Sequence, residues 1–254
     1  MVHMNQCCDL ALFRCAHYAI DGIGTALRDL AAGTVPTIRV PGFVSAADAE
    51  RLTTSFLRCP EVEERQDGVW GKSGAYLLKM AGDSVERLND EVSAAPLTSP
   101  TARNRPAVRH GSPVTTARMS AGLPGTGLLD AHDDIGQLRD PQQLGFEPHQ
   151  VADNGVLAVN LHTSSPAEGG RLRLWNAMSD TATREPLGIA HSGYPYPGSC
   201  LQGHDFIDIQ PRAGDLVLIN GAIPHTMTLY QAAEPRVAIN YFFGRLGESV
   251  IRWV

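Results

Sequence analysis

The sequence contains no apolar run approaching the roughly 18 residues that a membrane-spanning helix needs, so no membrane partner is expected. It has no Lys/Arg run longer than two, and its formal net charge is −6. Nucleic-acid binders carry a basic patch or stripe, so DNA and RNA are not expected as partners. Cysteine is scarce and odd in number, with five residues at positions 7, 8, 15, 59 and 200. An odd count in a long chain, with Cys7 and Cys8 adjacent, is not a disulfide framework. Cys7, Cys8, Cys15 and His17 could be drawn as a zinc cluster, but the usual paired-cysteine spacing is missing and free thiols are expected. The first residues, MVHMNQCCDLALFRCAHYAI, lack a basic segment leading into an apolar run with a small-residue cleavage site. A cytoplasmic location is the resulting expectation.

What is present describes a globular, turn-rich protein. Hydrophobic residues make up 43% of the 254 residues and charged residues 19%, which is not the balance of a disordered chain. Gly 25 and Pro 17 together supply about one residue in six, favouring many turns. In residues 19–32, Ile20, Ile23, Leu27 and Leu30 fall at helical spacing, and Gly33 can end the helix. A short strand pattern, TIRVPGF, covers 37–43. Ser45, with Asp48 three residues later, is a helix start, and Ala46 to Leu57 carries the apolar stripe Ala49, Leu52, Phe56 and Leu57.

Residues 95–113 are polar and proline-rich and are expected to form a loop or lid. From 114 onward the pattern becomes short β-type runs at 114–122, 128–134, 155–164, 170–176, 205–211, 214–229 and 236–244. Val156, Ala158, Asn160 and His162 alternate with Leu157, Val159 and Leu161. Seven or eight short strands after two or three helices predict a mainly β fold with flanking helices, a sandwich or barrel. The long segment 177–204 is expected to be either a pocket wall or a solvated excursion.

The chemistry-bearing pattern is His132-Asp133-Asp134, followed ninety-one residues after Asp134 by His225. Two imidazoles and one carboxylate are the donor set of a facial triad that holds non-haem Fe(II) and leaves positions open. In an extended segment, residues i and i+2 project to one side, so His132 and Asp134 can share a metal while Asp133 points away or serves the substrate pocket. His225 lies in the apolar run GDLVLINGAIPHTMTL. After ten intervening residues Arg236 opens RVAINYFFG, and a guanidinium on an inner strand face asks for an anion. Glu168-Gly169-Gly170 makes a tight turn into GRLRLW.

These elements together resemble the iron(II)- and 2-oxoglutarate-dependent oxygenase superfamily, in its compact bacterial small-molecule branch. The matching segments are HDD (132–134), EGGRLRLW (168–175), GDLVLINGAIPH (214–225), Arg236, and the strand-to-helix entry VPGFVSAADAERL (40–52). The resemblance implies a double-stranded β-helix, a cupin-like jelly roll. It implies a single domain over 1–254, with support elements and a loop region in 1–113, the jelly-roll core in 114–245, and 177–204 as an insert. It implies His132, Asp134 and His225 as iron ligands, with 2-oxoglutarate and O₂ as cosubstrates. Arg236 would pair with the distal carboxylate of 2-oxoglutarate. A hydroxyl residue is frequent two positions after that Arg, but here Ala238 stands there, so the hydroxyl would come from elsewhere, Tyr241 or Thr226, or be absent. Asn160 is a further candidate for cosubstrate binding, and Arg118, Asp133 and Trp175 are candidate substrate contacts.

The implied activity is oxidation, foremost hydroxylation, of an unactivated C–H bond in a small molecule of specialised metabolism, with release of succinate and CO₂. In the halogenating branch the carboxylate position is Gly or Ala, and Asp134 argues against that outcome. A cupin-like metal-dependent isomerase or hydrolase, or a non-catalytic binding module on the same barrel, stand as the alternatives. The isomerase or hydrolase would give Arg236 no role, and the intact ligand set argues against the binding module.

Overall fold

In the computed structural model of the protein, the residues described are all except 1, 3, 59–61, 66–67, 73–82, 95–102, 116, 123–129 and 153–154. Cys59 lies outside them. The strands in chain order are β1 (Cys15–His17), β2 (Thr37–Val40), β3 (Val62–Arg65), β4 (Gly68–Lys72), β5 (Arg103–Pro106), β6 (Val108–Arg109), β7 (Ser112–Pro113) and β8 (Arg118–Gly122). They continue with β9 (Val156–Ser164), β10 (Leu172–Trp175), β11 (Phe206–Ile209), β12 (Leu216–Asn220), β13 (His225–Met227), β14 (Arg236–Leu246) and β15 (Ser249–Trp253). The longer helices are α1 (Ile23–Ala31), α2 (Ala46–Leu57) and α3 (Asp83–Ala94).

Among the described residues, ten strands form one large sheet with the path β1-β2-β12-β9-β14-β8-β4-β3, and β15 joins β14 to β5. A second sheet has the order β11-β10-β13. The two-sheet, mainly β architecture with flanking helices agrees with the sequence expectation, as does the jelly-roll class.

Alternation along the central strands explains how each face is used. Leu157, Val159 and Leu161 of β9, with Val237, Ile239, Tyr241 and Phe243 of β14, pack into one core with α1 and α2. Helix α1 contributes Ile23, Ala26, Leu27 and Leu30, one buried stripe at helical period. Gly33, at φ +68°, follows its last turn. Ser45 caps α2, accepting from the Asp48 amide at 3.1 Å, and Ala49, Leu52 and Phe56 bury its inner face. The opposite face of the large sheet, with Ala158, Val217 and Ile219, meets Leu172, Leu174 and Ile209 of the small sheet. The candidate site lies on this second face. Among the described residues, no helix is long and apolar enough to cross a membrane.

Several local expectations are corrected. The run at 214–229 is two strands in different sheets: β12 pairs β9, and β13 pairs β10. A turn over Gly221–Pro224 divides them, with Ile223 N–H donating to Asn220 O at 3.0 Å and Ala222 N–H to Asn220 Oδ1 at 3.0 Å. The 128–134 segment is not a strand where it is described; it contributes one isolated bridge, His132 with His225. The loop expected at 95–113 is β-paired from Arg103 onward, because β5 adds in parallel to β15. The 114–122 run is strand only from Arg118. Strands β1, β3, β4 and β15 and helix α3 were not anticipated.

Candidate metal centre and adjoining cavity

The turn at 221–224 delivers His225 to the small sheet, directly across from His132. The pair exchanges both backbone hydrogen bonds: His132 N–H donates to His225 O at 3.0 Å, and His225 N–H to His132 O at 2.9 Å. Two residues on, Asp134 N–H donates to Gly221 O at 2.8 Å. The segment is thus locally extended, and the i, i+2 logic holds without a regular strand. His132, Asp134 and His225 each present a donor atom, all within 4.8 Å of one another. The His225 Nε2 to Asp134 Oδ2 distance is 3.7 Å, and the imidazole centroids are 4.3 Å apart.

The hydrogen bonds around the rings favour one tautomer. His132 Nδ1 lies 2.9 Å from Asp130 O, and His225 Nδ1 lies 2.9 Å from Ile223 O. A carbonyl only accepts, so each Nδ1 carries the proton and each Nε2 keeps its lone pair toward the centre. Burial, then the neighbouring His225, holds the His132 imidazolium down to about 4. Burial likewise lowers His225. Burial pushes the Asp134 carboxyl up to about 6. Its Oδ2 is buried without a hydrogen-bond partner. Two neutral nitrogen donors beside an unsatisfied carboxylate oxygen suit a divalent cation, which offsets the buried charge and uses all three lone pairs.

The cavity beside this cluster is lined by Arg118, Ser120, Asn160, Arg236 and Asn240, with Leu172, Ile219 and Phe242 as apolar wall. Asn160 and Asn240 are cross-strand partners, and Asn240 Nδ2 donates to Ser120 Oγ at 2.7 Å. Arg236 is buried, its Nε has no partner, and desolvation lowers the guanidinium to about 10. Its backbone N–H donates to Tyr230 Oη at 3.1 Å, and Tyr230 in turn donates to Gly122 O. Sequence reasoning missed Tyr230, because it lies in an irregular connection with no periodic signal.

Four anticipated residues have other surroundings. Asp133 is not in the cavity wall: its carboxylate accepts from Ile135 N–H and Gly136 N–H at 2.7 Å each, from Ser179 Oγ at 2.8 Å and from Tyr196 Oη at 2.6 Å. Buried Arg184 stands 3.5 Å from it. Those bonds leave no capacity for a substrate, and they bolt the 177–204 segment to the ligand loop. That segment is therefore a packed wall and not a solvated excursion. Thr226 pairs with Arg173, one step of strand parity from His225, and borders both this cavity and an outer concavity. Tyr241 borders the cavity, while its ring packs edge-on to Phe243 in the helix-side core, 5.2 Å between centroids. Trp175 lines a second, outer concavity with Tyr196, Leu201 and Phe206.

No family model matches the chain. The chain is 31% identical over 126 residues to the L-isoleucine 3(1)-dioxygenase of Pantoea ananatis, an alignment covering 49% of this chain and 42% of that protein. It therefore spans less than half the length of that relative. It is 24% identical over 259 residues to the L-gamma-glutamyl-L-propargylglycine hydroxylase of Streptantibioticus cattleyicolor, covering 89% of this chain and 91% of that one. A solved oxidoreductase of the 2OG-Fe(II) oxygenase family from Burkholderia pseudomallei superposes with a TM-score of 0.54 at 15% identity, covering 95% of this chain and 98% of the other. At that identity the superposition speaks for the fold.

Proposed function

We propose that the chain is an iron(II)- and 2-oxoglutarate-dependent oxygenase that hydroxylates an unactivated C–H bond of an amino-acid-like small molecule, a reading supported by its similarity to a dioxygenase and a hydroxylase and by its His–Asp–His cluster. The observation that carries this reading is one cavity holding both the His132–Asp134–His225 cluster and the buried, anion-seeking Arg236. Hydrolases and isomerases using the same three donors give that guanidinium nothing to hold. Asp134 as third donor occupies the position a halide would need, which supports hydroxylation over halogenation.

When bound, Fe(II) and 2-oxoglutarate supply O₂ activation coupled to decarboxylation of the cosubstrate to succinate and CO₂. The protein's own part is positional. His132 and His225 offer neutral Nε2 atoms because their Nδ1–H groups are spent on Asp130 O and Ile223 O. Asp134 contributes the single negative charge. Arg236 offers a two-pronged donor to the distal carboxylate of the cosubstrate. Asn160 and Asn240 present amides to the ligands between them, and the apolar wall of Leu172, Ile219 and Phe242 limits water. Arg118 places a second guanidinium in the cavity, a match for a substrate carboxylate. The names of both curated relatives contain an amino acid, which supports the same substrate class.

The test is anaerobic addition of Fe(II) and 2-oxoglutarate, followed by air and a panel of free and γ-glutamyl amino acids. A visible charge-transfer band, then succinate and a product heavier by one oxygen, is expected. Absence of both the band and succinate overturns the reading.

A further inference from the structure

His162 is a buried titratable group with no role in the site as described. It sits in β9 with no exposed surface, and neither ring nitrogen has a hydrogen-bond partner. A neutral imidazole always carries one N–H donor and one acceptor, so isolation on both sides is unfavourable and calls for an explanation. Its backbone is fully engaged: His162 N–H donates to Asp215 O at 2.9 Å, and its carbonyl accepts from Gly214 N–H at 2.8 Å. Only the ring is left over.

The sheet register says what the ring faces. His162 is the cross-strand partner of Ala238, and the pairing shifts between Val237 and Ala238, leaving Thr163 as the extra residue. Thr163 turns to the helix side, where its hydroxyl meets Thr53 at 2.9 Å. His162 therefore faces the cavity side with Ala238 and, two residues along β14, Arg236. The two charges that bear on His162 are the guanidinium groups of Arg236 and Arg39. Arg39 is ion-paired with Asp215, whose carboxylate also accepts from Gly42 N–H at 3.0 Å and Arg212 N–H at 2.7 Å. Among the described residues, Arg236 has no carboxylate partner, and its Nε is buried without a hydrogen bond. This corner of the fold thus combines a guanidinium whose Nε is unpartnered and an imidazole donor without an acceptor, with Ala238 as the cross-strand partner of His162.

We propose that His162 is a second donor, beside Arg236, to the distal carboxylate of 2-oxoglutarate. One carboxylate satisfies both residues: the guanidinium takes its charge, and the ring N–H donates to one oxygen. The small side chain at 238 leaves the imidazole room to reach. Ser120, the other cross-strand partner of Ala238, already accepts from Asn240 Nδ2, whereas His162 keeps both ring nitrogens unpartnered. The proposal rests on the cosubstrate reading above.

The test separates the distal carboxylate from the rest of the cosubstrate and needs no turnover. Anaerobic Fe(II) protein is titrated with 2-oxoglutarate and with 2-oxovalerate, a chelating 2-oxo acid that lacks the distal carboxylate, following the visible band. His162→Phe should weaken 2-oxoglutarate about tenfold or more and leave 2-oxovalerate unchanged. His162→Gln, which keeps an N–H, should recover most of the loss. If the Phe variant does not fold, His162→Leu makes the same comparison. Unchanged 2-oxoglutarate affinity, or parallel loss for both acids, overturns the proposal and leaves His162 as a packing residue. A wild-type protein that shows no band with 2-oxoglutarate overturns the oxygenase reading itself.

Discussion

His132 and His225 face each other across an isolated antiparallel bridge whose two backbone hydrogen bonds join their segments, and their rings stand 4.3 Å apart. The distance in sequence is closed by the 221–224 turn, which passes the chain from the large sheet to the small one. The relative position of the two nitrogens thus depends on the backbone, and each ring is further fixed by its own carbonyl two residues upstream.

His225→Ala removes one donor while leaving the bridge intact, since the bridge is made by main-chain atoms. The variant should fold, show no charge-transfer band with Fe(II) and 2-oxoglutarate, and form no succinate above background. A variant that still turns over would show that His225 is not a ligand.

Arg236→Ala should weaken 2-oxoglutarate by about a hundredfold, the scale expected for truncating a buried charged donor to a carboxylate. Arg236→Lys keeps the charge but loses the fork, and should fall between. Titration of the band under anaerobic conditions measures both. Activity that does not depend on Arg236 would favour a metal-dependent hydrolase or isomerase instead.

The cysteines should be slow. Burial, with the neighbouring Cys8 adding to it, pushes the Cys7 thiol up to about 12; burial does the same to Cys15. A raised thiol value means that the reactive thiolate is rare below it, roughly one molecule in ten thousand at pH 8. Alkylation of these two sites in the native protein should therefore climb about tenfold per pH unit from pH 8 to 11 with no plateau. Peptide mass mapping after iodoacetamide reads each site separately, and rapid labelling of Cys7 or Cys15 at pH 8 would contradict their burial.

The sequence made the donor set readable because chemistry concentrated it: a His-x-Asp triplet, a histidine in an apolar run, and an arginine at a strand start. Alternation in β9 and β14 also placed Asn160 and Arg236 on the cavity face. Other features depend on contacts remote in sequence. Asp133 looked like a spare acid because Ser179, Arg184 and Tyr196, which bind it, lie 46, 51 and 63 residues away. Thr226 and Trp175 each stand one step of strand parity from His225 and Leu174, a position that pattern alone does not resolve. His162 was visible in the alternation, yet nothing in a single sequence says that its ring lacks a partner.

Asp133 yields the sharpest stability prediction. Its carboxylate gathers two amides of the ligand loop and two hydroxyls of the 177–204 segment, beside a guanidinium as buried as itself. The packing there is also tight: a Cβ added at Gly136 would stand 2.2 Å from Gly193 N. Asp133→Ala removes the anion and leaves Arg184 charged and buried, a change that costs about 3–5 kcal/mol when a buried pair is broken. Urea denaturation should show a lower midpoint whose shift, multiplied by the slope m, gives a loss of that size. The double variant Asp133→Ala with Arg184→Met removes both charges and should recover a substantial part of the loss, because the orphaned guanidinium is then gone. A single variant as stable as the wild type, with only substrate affinity altered, would return Asp133 to the substrate pocket and contradict the bonding seen around it.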